Sequence, residues 1–161
     1  MDKFTLYFDK QVHSIDGALT LQAYDPDTKK ARTLFHRMAA RSGQKGYEGT
    51  DWVRGKSPVP FGRHQIDLHS LKAGKWSDYD GIGEFFKIFT DSSNTRRIYD
   101  HKRNNYQRFD IGLHPENTKP GSAGCIVLLG RNPLERAQVE KLFAVLRGIS
   151  DESPVIDLVV L

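Results

Sequence analysis

His114 and Cys125 lie eleven positions apart, and each sits at the end of an apolar run. His114 closes the run 109–114, and Cys125 opens the run 125–129. The loop between them is polar and carries Pro115, Pro120, Gly121 and Gly124. As neighbouring antiparallel strands, the two runs return the chain to its starting edge and set the imidazole beside the thiol. A free Cys has a pKa near 8.5 and is mostly the poorly nucleophilic thiol at neutral pH. An adjacent imidazole removes that proton and creates a nucleophile. Gly124, just before Cys125, allows a sharp turn and a close approach of substrate to backbone. The backbone around Ser122 and Gly124 then offers N–H groups to the negative charge that acyl transfer develops on a carbonyl oxygen. The alternative is that Cys125 is a small buried hydrophobe. Glycines around a core cysteine serve no packing purpose, which favours the nucleophile.

Composition narrows the setting for this chemistry. The chain has 161 residues and a single cysteine, so an intramolecular disulfide and any zinc site with two or more cysteines are excluded. An apolar fraction of 38% is too high for a disordered chain, and the length fits one domain, 1–161. The net charge of +4 favours anionic partners without choosing one. The N-terminus, Met1 to Leu6, lacks the apolar stretch of a secretory signal, and no segment is apolar enough to span a membrane. The expectation is synthesis in the cytoplasm without a cleaved signal. No cofactor is expected. His64 and His69, with His101 or Asp67, fall short of a convincing metal site, because histidines on strands mostly face solvent. The basic, aromatic stretch Arg96 to Arg108 reads as a solvated strand edge, so no nucleic-acid partner is expected. Trp52, Tyr47 and Trp76 fall in loops, where they can line a groove or pack as satellites.

The elements that must position His114 and Cys125 are mostly strands. Residues 4–10 and 18–25 alternate, the second with Leu19, Leu21 and Ala23 on one face. Turns are read at Ser14 to Gly17 and at Asp25 to Thr28. The run 31–40 is ambiguous. Ala31, Leu34, Phe35, Met38 and Ala39 fit a helix face, whereas Leu34, His36, Met38 and Ala40 fit one face of a strand. Residues 42–60 form a long irregular segment, of the kind that tends to be functional or mobile. Further strands are expected at 61–68, 81–90, 96–100 and 155–161. One helix is well specified, with Asn132 as N-cap, Pro133 at its first position and Glu135 at the capping-box position. Val139, Leu142, Phe143 and Leu146 give its buried stripe, and Gly148 is read as its stop. The fold class is mainly β with one late helix.

The segment Ser122-Ala123-Gly124-Cys125-Ile126, with His114 upstream, resembles the active-site motif of the YkuD-type L,D-transpeptidases. That pattern is a His, a loop, then Ser/Thr-His-Gly-Cys, an aliphatic residue and Arg. Ser57 to Ile66 looks like the family's Pro-x-Pro-x-Gly-x-Tyr-x-Ile segment. The short His-to-Cys spacing, together with Ala123 in place of the motif's second His, is closest to the toxin-like L,D-peptidase branch. The resemblance implies a YkuD-like β-sandwich in which 31–40 is a strand. It implies a cysteine enzyme acting on peptidoglycan stem peptides at an L–D bond of the diaminopimelate–D-alanine type. Cys125 would form the thioester, His114 would be base and then acid, and the backbone at Gly124 and Ser122 would hold the oxyanion. Val127 stands where the family often has its carboxylate-binding Arg, and Arg97, Arg131 or Arg63 would replace it. Such an enzyme would act in the periplasm or cell wall as an exported protein or a delivered effector, with an immunity or delivery partner left unspecified. The competing expectation is a non-catalytic cell-wall or polyanion-binding module on the same fold.

Overall fold

Alternation of apolar and polar residues builds most of the molecule. The computed structural model describes residues 1–53, 55–69, 85–90, 98–100, 105–108, 111–115 and 124–161, with backbone only for 98–100 and 105–108. In chain order the elements are β1 (Lys3–Lys10), β2 (Asp16–Asp25), β3 (Lys30–Ser42), β4 (Gly62–Asp67), β5 (Phe86–Phe89), β6 (Ile98–Asp100), β7 (Asn105–Arg108), β8 (Gly112–Pro115), β9 (Ile126–Leu128), α1 (Pro133–Ser150) and β10 (Val155–Val160). The protein is mainly β. The finer expectation was a sandwich, but eight strands close into a barrel in the order β1-β10-β4-β5-β8-β9-β3-β2. Closure follows because β1 pairs with β2 on one side and with β10 on the other, so the first and last strands of the chain seal the sheet. Strands β6 and β7 form a separate hairpin.

The core lies on the inward face of the strands. Leu6, Leu21, Ile66, Phe86, Leu113 and Leu158 are all buried in one cluster, and α1 adds Val139, Leu142, Phe143 and Leu146 to it. Phe143 stacks on Phe86, with ring centroids 5.5 Å apart. Helix α1 begins as its sequence dictates: the Asn132 side chain accepts from the Glu135 N–H at 2.9 Å, and Pro133 occupies the first turn. It does not stop at Gly148. The helix runs on to Ser150 because Ile149 is one more buried residue on the apolar stripe. The Asp25 turn forms as read, with the carboxylate accepting from Asp27 N–H and the Thr28 hydroxyl, both at 2.9 Å.

Strand β3 settles the ambiguous run as extended chain, with a defect that explains the ambiguity. Leu19 pairs with Met38, Leu21 with Phe35 and Gln22 with Thr33, so β3 carries two extra residues against β2, one on each side of the Leu21–Phe35 pair. Arg37 sits at the bulge between Phe35 and Met38 with φ 49° and donates its N–H to the Thr20 hydroxyl at 3.0 Å. The bulge shifts the alternation by one residue, so Phe35 and Ala40 are both buried while His36 is exposed. The strand face Leu34-His36-Met38-Ala40 therefore does not form. The spacing that imitated a helix is a strand changing phase.

The irregular segment from 43 to 61 is tied to the barrel by a buried cation. The Lys10 ammonium is 2.6 Å from Asp51 Oδ1 and 2.8 Å from the Val59 carbonyl, and lies 3.8 Å from the centroid of the Phe61 ring. The Gln44 N–H donates to the Lys56 carbonyl at 2.8 Å and the Ser57 hydroxyl accepts from Val53 N–H at 2.9 Å, so the segment is also bonded to itself. Losing a buried cation leaves its partners without charge compensation. Lys10→Ala is expected to lower the unfolding free energy by about 3 kcal/mol. Arg37→Ala, which breaks only the exposed pair with Asp9, should cost under about 1 kcal/mol. Urea denaturation of the two variants, side by side, checks the contrast.

Candidate functional site

Three adjacent strands carry the residues that matter, and their register fixes which side chains meet. Strand β9 lies between β3 and β8. Its Ile126 pairs with Ser42 on one side and Leu113 on the other, and its Val127 pairs with Arg41 and His114. Residues paired across strands share a face. Leu113, Ile126 and Leu128 belong to the inward cluster, so Arg41, Val127 and His114 form a row on the outward face. Cys125 precedes Ile126 and packs with Val127 and Phe85 in a second, smaller buried cluster, which puts it on that same outward face.

His114 and Cys125 thus share a face, but not through the expected antiparallel pairing. Strands β8 and β9 are parallel. The direction of β9 is set by its antiparallel pairing with the long β3, and that of β8 by its antiparallel pairing with β5. Proximity survives because the strands are short. His114 is level with Val127, two residues beyond Cys125, so the Cα atoms of His114 and Cys125 are about 8 Å apart, from a strand spacing of about 4.8 Å and a rise of about 3.3 Å per residue. The two side chains therefore lie on one face, one strand and two residues apart.

The imidazole is held in a defined state. His114 Nδ1 is 2.7 Å from the Pro115 carbonyl, which can only accept, so Nδ1 carries the hydrogen and the neutral ring keeps Nε2 as its basic atom. The sequence offered Asp110 or the backbone near Gly112 as the orienting group. The Pro115 carbonyl does this, and Asp110 lies outside the described residues. Gly112 acts indirectly. A Cβ there would overlap the Phe85 ring, and that ring stacks on His114 with centroids 5.8 Å apart and planes 22° apart. Burial pushes the His114 pKa below its ordinary value, and the Pro115 hydrogen bond offsets this only in part. The ring is therefore neutral at neutral pH, as a proton acceptor must be. Both partners are largely covered, Cys125 at 8% and His114 at 9% exposure.

The backbone before the thiol is unusual. Gly124 has φ 114°, a conformation that favours glycine over residues with a side chain. Its carbonyl accepts from the Ser42 hydroxyl at 3.1 Å, and Ser42 is 1% exposed. Ser122 and Ala123 lie outside the described residues, as do Arg97, His101 and Trp76.

Of the candidate anchoring arginines, Arg131 and Arg63 lie among the described residues and Arg97 does not. Arg131 lies at the start of α1, where Glu135 holds it through contacts of 2.8 Å. It lines a separate cleft of about 480 Å³ between β3 and α1. Arg63, on β4, faces Asp157 at 3.8 Å. Among the described residues, Arg41 pairs with Val127 from the β3 side, as His114 does from the β8 side. Asp16 Oδ1 accepts from its Nε at 2.6 Å, and Arg41 lines a cleft of about 680 Å³ with His13, Asp16, Lys45 and Glu48. Sequence reasoning missed it because the relation lies across strands, 82 residues of chain separating Ser42 from Gly124 in the adjoining contact. The phase shift at Arg37 also hid which face Arg41 takes.

His64 and His69 do not converge. His64 Nε2 contacts the Pro60 carbonyl at 2.7 Å inside the barrel, and His69 Nε2 contacts the Ser150 carbonyl at 2.9 Å near the surface. Among the described residues no three His, Cys, Asp or Glu side chains are grouped to hold a metal. No helix among them is long and apolar enough to cross a membrane. Comparison of the chain with protein-family models, with curated proteins and with solved structures returned no match.

Two buried imidazoles make stability depend on pH in a defined direction. Burial holds both His64 and His114 below the ordinary 6.5. The unfolded chain then takes up protons that the folded chain refuses. Stability is fully present above the unfolded value and is lost as the pH falls from there toward the folded values. Denaturant melts from pH 7.5 to 5.0 should show this decline, and the double variant His64→Gln/His114→Gln should show a shallower slope over that interval.

Proposed function

We propose that the protein is a cysteine acyl-transfer enzyme of the L,D-transpeptidase type, acting on peptidoglycan stem peptides through a Cys125 thioester. The observation that carries this reading is the shared outward face of Cys125 and His114, with the imidazole fixed by Pro115 so that Nε2 is the basic atom. The substrate class rests on the resemblance of the Ser122–Ile126 segment to the YkuD-type motif. A YkuD-like fold is part of the same proposal.

The steps follow from these groups. Nε2 takes the Cys125 thiol proton, and Sγ adds to the carbonyl carbon of the L–D bond. The carbonyl oxygen becomes an oxyanion that the Cys125 N–H stabilises. As the intermediate collapses, the C–N bond breaks and the imidazolium returns its proton to the departing amine. The thioester that remains is released by attack of an amine, which gives cross-linking or exchange, or of water, which gives trimming.

Arg41 supplies the charge that Val127 does not. In register it lies diagonally across from Cys125, on the side opposite His114, and it lines the cleft with His13, Asp16, Lys45 and Glu48. On this reading a donor's terminal carboxylate would meet Arg41 while its last peptide bond meets the thiol. Asp16 orients the guanidinium for this contact.

Incubation of the protein with tetrapeptide muropeptides, followed by product analysis, tests the proposal. Cys125→Ala and His114→Ala should each abolish turnover, and a Cys125→Ala variant that still turns over overturns the reading. Sacculus binding that survives without any turnover by the wild type supports the non-catalytic module instead. Arg41→Gln should raise KM about 10- to 100-fold with little change in kcat, the loss expected for one hydrogen-bonded charge. The difference should vanish with a donor amidated at its C-terminus.

A further inference from the structure

The hydroxyl of Ser42 sits at a junction of three segments. It donates to the Gly124 carbonyl at 3.1 Å and accepts from the Val59 N–H at 2.8 Å, so its donor and one acceptor position are both used. The Ser42 backbone N–H is bonded in turn to the Ile15 carbonyl at 3.0 Å. A buried serine with these bonds has one orientation.

What it holds is the peptide unit of the nucleophile. The Gly124 carbonyl and the Cys125 N–H belong to one planar trans peptide, in which C=O and N–H point in opposite directions. Fixing one fixes the other. Gly124 has φ 114°, where glycine has wide freedom to rotate, and the Ser42 hydroxyl is one restraint on the plane. With its carbonyl drawn toward the buried Ser42, the Cys125 N–H is directed away from the β3 layer. We infer that Ser42 is a positioning residue that aims the Cys125 N–H as the oxyanion donor. It touches no substrate and acts through the Gly124–Cys125 peptide.

This inference rests on the proposed acyl-transfer reading, and two reactions of the same thiol separate it from that reading. Acylation by a stem-peptide donor passes through an oxyanion. Alkylation by iodoacetamide displaces iodide and forms no oxyanion, yet it needs the same thiolate. Ser42→Ala should lower kcat for acylation about 10- to 100-fold, less than the loss of an oxyanion donor outright, with KM unchanged. Its iodoacetamide rate should stay within about twofold of wild type. Ser42→Thr should restore acylation, and Ser42→Val, of the same shape without the hydroxyl, should not. The comparisons are made at a temperature where near-ultraviolet circular dichroism of each variant matches wild type. Equal acylation by Ser42→Thr and Ser42→Val overturns the assignment, as does an iodoacetamide rate that falls in step with kcat. A wild-type protein that alkylates but is never acylated overturns the catalytic reading, and the role of Ser42 falls with it.

Discussion

The candidate site depends on a strand of three residues. Strand β9 is hydrogen-bonded on both edges, antiparallel to β3 and parallel to β8. Because side chains alternate along a strand, a slip of one residue in either pairing would turn every outward group inward. The register is held by burial. Ile126 and Leu128 lie among the inward residues of Ser42, Ala40 and Leu113, and a slip would exchange them for Val127 and its neighbours. The row Arg41–Val127–His114, with Cys125 beside it, is therefore a consequence of core packing on the other face. Val127, placed between a cation and an imidazole, keeps the two apart.

Burial then sets the chemistry of what the register has placed. An imidazole in water is part cationic near neutral pH and exchanges tautomers. His114 is covered by the Phe85 ring and bonded to the Pro115 carbonyl, so the cation is penalised and one tautomer is selected. The two effects oppose each other in pKa, since the carbonyl favours the protonated ring, and burial dominates. The result is a neutral base with its hydrogen on Nδ1 and Nε2 open to a proton. Gly112 contributes by leaving room for Phe85.

The legible parts of the sequence were those with local causes. Strands β1, β2 and β10 follow from alternation, the start of α1 from Asn132 and Pro133, and the turn after Asp25 from its own carboxylate. Where the causes were distant, the reading failed. Gly148 looked like a helix stop because the burial of Ile149 is a tertiary fact. The run 31–40 is a strand, as the resemblance implied, but its pattern alone was ambiguous because the Arg37 bulge depends on Thr20, on a different strand. The direction of β9 was read from the loop that precedes it, whereas its pairing with β3 determines it. Cys125 and His114 were visible because their residue types are rare and their context is glycine-rich. Arg41 and Ser42 are common types whose meaning comes only from their cross-strand partners.

One chain of contacts joins the far side of the barrel to the thiol. Asp51 holds Lys10, Lys10 holds the Val59 carbonyl, the Val59 N–H holds Ser42, and Ser42 holds the Gly124 carbonyl. Each link is a hydrogen bond from a buried group, for which an unmet partner costs about 1–3 kcal/mol. Removing a link therefore leaves both neighbours unsatisfied, and the cheapest response is for the next group to rotate. The chain ends at the Gly124 peptide, whose glycine has φ 114°. The His114 ring is held by Pro115 and Phe85 and the Gly124 carbonyl by Ser42 from β3, with Phe85 also packing beside Cys125.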